Sequence, residues 1–142
     1  MTNWLYACVA GPGRRAAALA TVLLAIATLS ALGLQWRADQ RETDIARAIT
    51  GGEPDRAPAL LRRFGCVGCH TIPGIGGADG QVAPSLAHLR QRVFIGGVAR
   101  NTAANLVRWI VDPHSLSPHS AMPASGINEA EARDVAAYLY AH

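Results

Sequence analysis

Apolar residues fall along this chain in two regimes. Ala16 to Trp36 is an unbroken run of 21 residues without a charge. Beyond it, apolar positions recur in short helical patterns separated by polar stretches rich in Gly and Pro. The run is long enough for a helix to cross a bilayer, which takes about 20 residues. Being apolar all round, it does not read as a helix of a soluble core, which keeps one polar face. Arg14 and Arg15 precede the run and none lies within it, a pattern that predicts the N-terminus in the cytoplasm and the rest outside. Trp36 stands where an interfacial aromatic would anchor such a helix. An uncleaved anchor is expected. The alternative is a cleaved signal peptide with Ala31-Leu32-Gly33 as a small-X-small site, although the run exceeds the usual apolar region of a signal. Leu5-Tyr6-Ala7-Cys8 has a faint likeness to a lipidation box, but no apolar region precedes it, and Cys8 is read as a bystander on the cytoplasmic side.

Residues 37–50 are charged and free of Pro and Gly, so the helix is expected to continue, with Gly51-Gly52 as its stop. Pro54 opens a new unit. Asp55 is a candidate N-cap with Pro58 in the first turn, and Leu60, Leu61 and Phe64 form a short apolar face. Residues 71–83, with Gly74, Gly76, Gly77 and Gly80, read as a loop wrapping close to a flat ligand. Thr102 is positioned to cap a helix whose Leu106, Trp109 and Ile110 fall at i, i+3 and i+4, and Pro113 ends it. Asn128 with Glu131 three residues on is the capping-box pattern, and Val135, Ala136 and Leu139 form the inner face of the helix that follows. No period-two strand is evident. The expected fold is all-α, divided into a cytoplasmic end at 1–15, an anchor at 16–36, a helical tether at 37–53 and a working domain at 54–142.

Composition changes this picture little. All thirteen basic residues are arginine. Residues 54–142 carry eight arginines against six acids, a balance of +2 with no basic stripe, which argues against a nucleic-acid partner. Of three cysteines, two belong to one motif, so no intrachain disulfide is expected.

That motif is Cys66-Val67-Gly68-Cys69-His70, the Cys-X-X-Cys-His signature of c-type haem attachment. On one helical turn, positions three and four apart share a face. Cys66 and Cys69 can then reach the two vinyl groups along one porphyrin edge, with His70 below the iron. A zinc site would want four N or S ligands, and Cys8 lies far off across the apolar run. A redox dithiol would not need His70 and would sit in a βαβ pattern. Haem attachment and an export topology agree, because bacterial c-type cytochromes receive haem outside the cytoplasmic membrane; such agreement across levels outweighs either signal alone.

Taken with these residues, the chain resembles a membrane-anchored class I, mono-haem cytochrome c over about residues 54–142. Ala83-Pro84-Ser85-Leu86 resembles that family's Gly-Pro-Asn-Leu segment. The resemblance implies that the Pro84 carbonyl meets the second nitrogen of the proximal His70, fixing its tautomer. It also implies that Leu86 packs on haem and that Arg92 lies near the propionates, against the plainer reading of Arg92 as a solvated charge. Leu106 to Pro113 resembles the helix that the family ends in Asn-Pro or Asp-Pro. Tyr138-Leu139 resembles the aromatic-leucine pair of its C-terminal helix. One departure is Arg62, four residues before Cys66, where the family often has an aromatic; Phe64 or Leu61 must then take over the crossing contact with Tyr138. Met122-Pro123, after Pro118-His119-Ser120-Ala121, resembles the loop carrying the sixth iron ligand. Met122 is the only methionine after Met1; its plain alternative is a core gap-filler, and His119 is the nearest rival ligand. His88 and His114 are further candidates for bis-histidine ligation, each read singly as a solvated surface residue, and His142 is a chain end.

The resemblance implies an electron carrier rather than an enzyme: one-electron transfer in a bacterial respiratory chain, between a membrane or periplasmic dehydrogenase or reductase and a terminal oxidase, with soluble redox proteins as further partners. The implied location is single-pass in the inner membrane with the haem domain on the periplasmic face. Met122 opposite His70 would fill both axial positions and raise the potential relative to a bis-histidine haem. Without Met122 as ligand, a peroxidase or gas sensor becomes the alternative.

Overall fold

The computed structural model describes residues 12–142; Cys8 and the residues around it lie outside the described residues. The chain divides into two compact units, one up to Ala38 and one from Asp39 to His142. Helix α1 (Pro12–Thr50) is exposed along its apolar stretch, with Leu19, Leu23, Ile26, Leu29 and Leu32 all open. It is the one helix among the described residues long and apolar enough to cross a membrane.

Gly51 ends α1 at a φ of 68°, and its N–H donates to the Arg47 carbonyl at 2.8 Å, a left-handed stop that favours glycine. The segment read as a tether is in fact packed. Ala46 has no exposed surface and Thr50 only 4%. Arg47 pairs with Glu53 at 3.0 Å and Asp55 at 3.3 Å, Arg90 pairs with Glu42, and the Asp134 carboxylate accepts the Glu53 N–H at 2.7 Å. Exposed ion pairs are worth little singly; the buried Ala46 and Thr50 make residues 39–53 part of the second unit.

Asp55 does not cap a helix. Pro54 opens a 3-10 turn over Pro54–Arg56, so α2 (Ala57–Arg63) begins with Arg56 at its N-cap and no side-chain bond there, and Asp55 is left to pair with Arg47. The single turn α3 (Cys66–Cys69) follows. Helix α4 (Ala103–Val111) is capped by Thr102, whose hydroxyl accepts the Asn105 N–H at 3.2 Å. Helix α5 (Glu129–Ala141) carries a complete capping box: Asn128 Oδ1 accepts the Glu131 N–H at 2.9 Å, and the Glu131 carboxylate accepts the Asn128 N–H at 3.2 Å.

The fold is mostly helical, with one departure from the expected absence of strands. β1 (Phe94–Ile95) and β2 (Ala99–Arg100) pair antiparallel, Phe94 opposite Arg100 and Ile95 opposite Ala99. Two residues per strand cannot establish an alternating pattern, so this hairpin leaves no periodic trace in the sequence.

Helix α5 is the centre of the unit, with α2, α4 and the 3-10 turn at Pro54 packed on it. Leu61, Leu106, Ile110, Val135, Ala136 and Leu139 are buried. Of the two candidates for the crossing with α5, Leu61 is the buried one, at 1% exposure; Phe64 is half-buried. Arg62, at the position where an aromatic was expected, donates to the Gly76 carbonyl at 2.9 Å and so ties α2 to the glycine-rich loop. Leu61→Ala is expected to destabilise the folded unit by about 2–5 kcal/mol, the range for a large-to-small change in a packed core, measured by denaturant unfolding.

Candidate haem site

The site is built where α3 meets two loops. His70 follows α3 directly, its N–H closing the turn onto the Cys66 carbonyl at 3.0 Å. Cys66 and Cys69 stand one turn apart as free, half-buried thiols. Burial pushes the Cys66 thiol up, with neighbouring Cys69 adding to the effect and a backbone hydrogen bond opposing it.

Residues 83–86 run alongside the motif because the Ala83 N–H donates to the Cys69 carbonyl and the Leu86 N–H to the Thr71 carbonyl, both at 2.9 Å. This register brings the Pro84 carbonyl to 2.7 Å from His70 Nδ1. With Nδ1 donating there, Nε2 is the nitrogen left with a lone pair. A carbonyl so placed fixes the tautomer and aims the ring.

The glycine-rich loop is more ordered than its composition suggests. The Ile72 N–H donates to the Ala78 carbonyl at 3.0 Å, Thr71 bridges Asp79, and Ile72, Ile75 and Ala78 turn into the core. In the sequence this spaced apolar trio is masked by the glycines between its members. Tyr138 ties the loop to α5 through its hydroxyl, which donates to the Pro73 carbonyl at 2.7 Å. Gly80 lies against α3: a Cβ there would stand 2.6 Å from the Cys69 carbonyl carbon, so only glycine allows this approach.

Met122 is half-buried in the loop between α4 and α5, where its N–H donates to the Ser120 hydroxyl at 3.1 Å. His88, His114 and His119 are exposed, and Leu86 is half-buried against the core.

Arg92 is half-buried, and its Nη2 donates to the Ser85 carbonyl and, at 3.0 Å, to the Ala87 carbonyl. Asn101 was not singled out from the sequence, where it is one polar residue ahead of a helix cap. Its side-chain amide donates to the carbonyls of Leu89 at 2.7 Å and Arg92 at 2.8 Å. Its Oδ1 accepts from the Tyr140 hydroxyl at 2.6 Å.

Burial pushes the Tyr140 phenol up to about 12, with the Arg90 charge opposing. Its unfolded value is about 10. The folded state therefore holds the proton longer than the unfolded one, and stability present below pH about 10 is lost as pH rises toward about 12. Denaturation midpoints at pH about 9 and about 11 are expected to fall further apart in the native sequence than in Tyr140→Phe.

Residues 54–141 match the Cytochrome c family. The chain belongs to the cytochrome c family. It is 37% identical over 75 residues to cytochrome c oxidase subunit 2 of Alkalihalophilus pseudofirmus, covering 52% of this chain and 21% of that protein. It is 34% identical over 59 residues to cytochrome c oxidase subunit 2 of Bacillus sp. strain PS3, covering 40% of this chain and 17% of that protein. The cytochrome c chain thus spans about a fifth of the length of these curated relatives. No solved structure matches it significantly.

Membership of the cytochrome c family implies covalently bound haem c, and the donor set fits that group. Among the described residues no cluster of three or more His, Cys, Asp or Glu could hold a bare metal ion. A porphyrin brings four of the iron's nitrogens itself, so the protein need supply only axial ligands and two thiols. Two thiols one turn apart, an imidazole with Nδ1 satisfied and a loop that a Cβ at Gly80 would push off α3 meet that need.

Proposed function

We propose that this cytochrome c is a membrane-tethered electron carrier that passes single electrons to a terminal oxidase. The observation that carries the reading is His70, held by the Pro84 carbonyl at 2.7 Å immediately after the two thiols of α3. One haem c would be held through Cys66 and Cys69, with His70 and Met122 supplying the iron's protein ligands. Bound haem supplies reversible one-electron chemistry at its iron. Of the chain's residues, Pro84 fixes the His70 tautomer, while Leu86 would pack against the porphyrin and Arg92 would hold the propionates. With Met122 as ligand no coordination position would be open, which favours electron transfer over peroxidase chemistry or gas sensing.

The oxidase assignment draws on the relatives, both named as oxidase subunit 2. The exposed apolar stretch of α1 supports an anchor in the inner membrane, with the haem domain on the periplasmic face; tethering raises its effective concentration for membrane partners. A dehydrogenase, a reductase or a soluble redox protein donates the electrons. After carbonate and salt washing of membranes, the haem-bearing chain is expected in the pellet. Reduced holoprotein in detergent is expected to be re-oxidised rapidly on adding terminal oxidase. Holoprotein that stays reduced with active oxidase present, or that binds carbon monoxide without any mutation, would sink the reading.

A further inference from the structure

We infer that Asn101 and Tyr140 are positioning residues for the proximal ligand, acting on His70 through Arg92 and the loop that presents the Pro84 carbonyl. The inference rests on the proposed role of His70 as an iron ligand. It starts from a continuous set of contacts. The Tyr140 hydroxyl, on buried helix α5, donates to Asn101 Oδ1 at 2.6 Å. The Asn101 amide spends both N–H groups on the 89–92 turn, at Leu89 and Arg92. Arg92 Nη2 grips the Ser85 and Ala87 carbonyls, on either side of Leu86. The Ser85 hydroxyl accepts the Ala87 N–H at 3.2 Å, closing a small turn immediately after Pro84.

Chemistry gives this arrangement a consequence at the iron. A carbonyl accepting the Nδ1 proton makes Nε2 a stronger donor, which favours the ferric state. The strength of that hydrogen bond depends on where the Pro84 carbonyl is held, and the peptide after Pro84 is the one that Arg92 grips. Each link is committed. Asn101 has two donors and both are used on carbonyls, so its orientation is set, and the acceptor that remains meets the only kind of group it can take, a donor. Tyr140 remains protonated well above neutral pH because it is buried, so it donates throughout the physiological range. Loosening any link weakens the grip on Pro84 and with it the basicity of His70.

The test compares full-length holoprotein in detergent with Asn101→Ala, Tyr140→Phe, Arg92→Gln and Arg92→Lys, with Asn128→Ala as a control. Asn128→Ala removes the cap of α5, distant in the chain from these contacts, and reports what general loosening does. Two readouts are taken: the midpoint reduction potential, and the ring-proton resonances of His70 in the paramagnetic spectrum. Expected is an upward shift of the potential in Asn101→Ala and a smaller shift of the same sign in Tyr140→Phe; Arg92→Gln also removes a charge beside the propionates, so it is read by the His70 resonances alone. The His70 resonances should move in all three, and Arg92→Lys should recover part of the Arg92→Gln shift. If Asn101→Ala and Tyr140→Phe leave potential and resonances, and Arg92→Gln the resonances, where Asn128→Ala leaves them, the positioning role is refuted even where stability falls. If Asn101→Ala does not fold, Tyr140→Phe alone decides by the same criterion. A wild-type protein lacking covalent haem, or lacking His70 ligation in its spectrum, would instead overturn the reading of the site itself.

Discussion

Replacing Met122 with alanine is expected to abolish the sulfur-to-iron charge-transfer band of the oxidised holoprotein. The same change should lower the reduction potential and let the reduced protein bind carbon monoxide. A thioether opposite an imidazole favours the reduced iron, and its loss leaves a weaker ligand or an open position. The helices should stay folded, because Met122 is half-buried in a loop while the core centres on α5. His119→Ala is expected to be spectroscopically silent, since His119 is exposed. A changed axial spectrum in His119→Ala together with an unchanged one in Met122→Ala would move the ligand assignment to His119.

The second large effect concerns the thiols. Native protein should keep its haem through acid-acetone extraction, and Cys66→Ser combined with Cys69→Ser should release all of it. Each single substitution leaves one thioether and should retain haem with a shifted haemochrome band. Serine keeps nearly the size of each cysteine, so the double variant removes the thioethers with little change to the packing of Cys66 against the core. Free release of haem from denatured native protein would contradict the assignment of the motif.

Much of this arrangement was legible beforehand, and the reasons are local. The caps at Thr102 and Asn128 work through bonds spanning three residues, so spacing alone foretells them. The apolar run and Cys66-X-X-Cys69-His70 are contiguous patterns of the same kind. What escaped notice depends on partners distant in sequence. Asn101 looks ordinary until Tyr140 and the Leu89 carbonyl are beside it, and Ile72, Ile75 and Ala78 look like loop residues until the folded chain buries them in its core. Asp55 misled because Pro54 started a 3-10 turn first. The tether boundary misled because Ala46, a small residue on a charged helix, gives no periodic signal of its burial.

That burial decides where a water-soluble fragment should begin. A protease nick or an engineered start at residue 54 would discard Ala46 and Thr50, the Glu53 N–H that Asp134 receives and the Glu42 partner of Arg90. Asp134, at 8% exposure, would lose a hydrogen-bond donor at a nearly buried carboxylate, which is costly for a group out of water. Cutting ahead of Asp39 keeps all of these. The shortest fragment suited to crystallisation or electrochemistry is therefore longer by about three turns of helix than the family's own boundary suggests, and material shed by cleavage nearer Gly51 would be a weakened carrier.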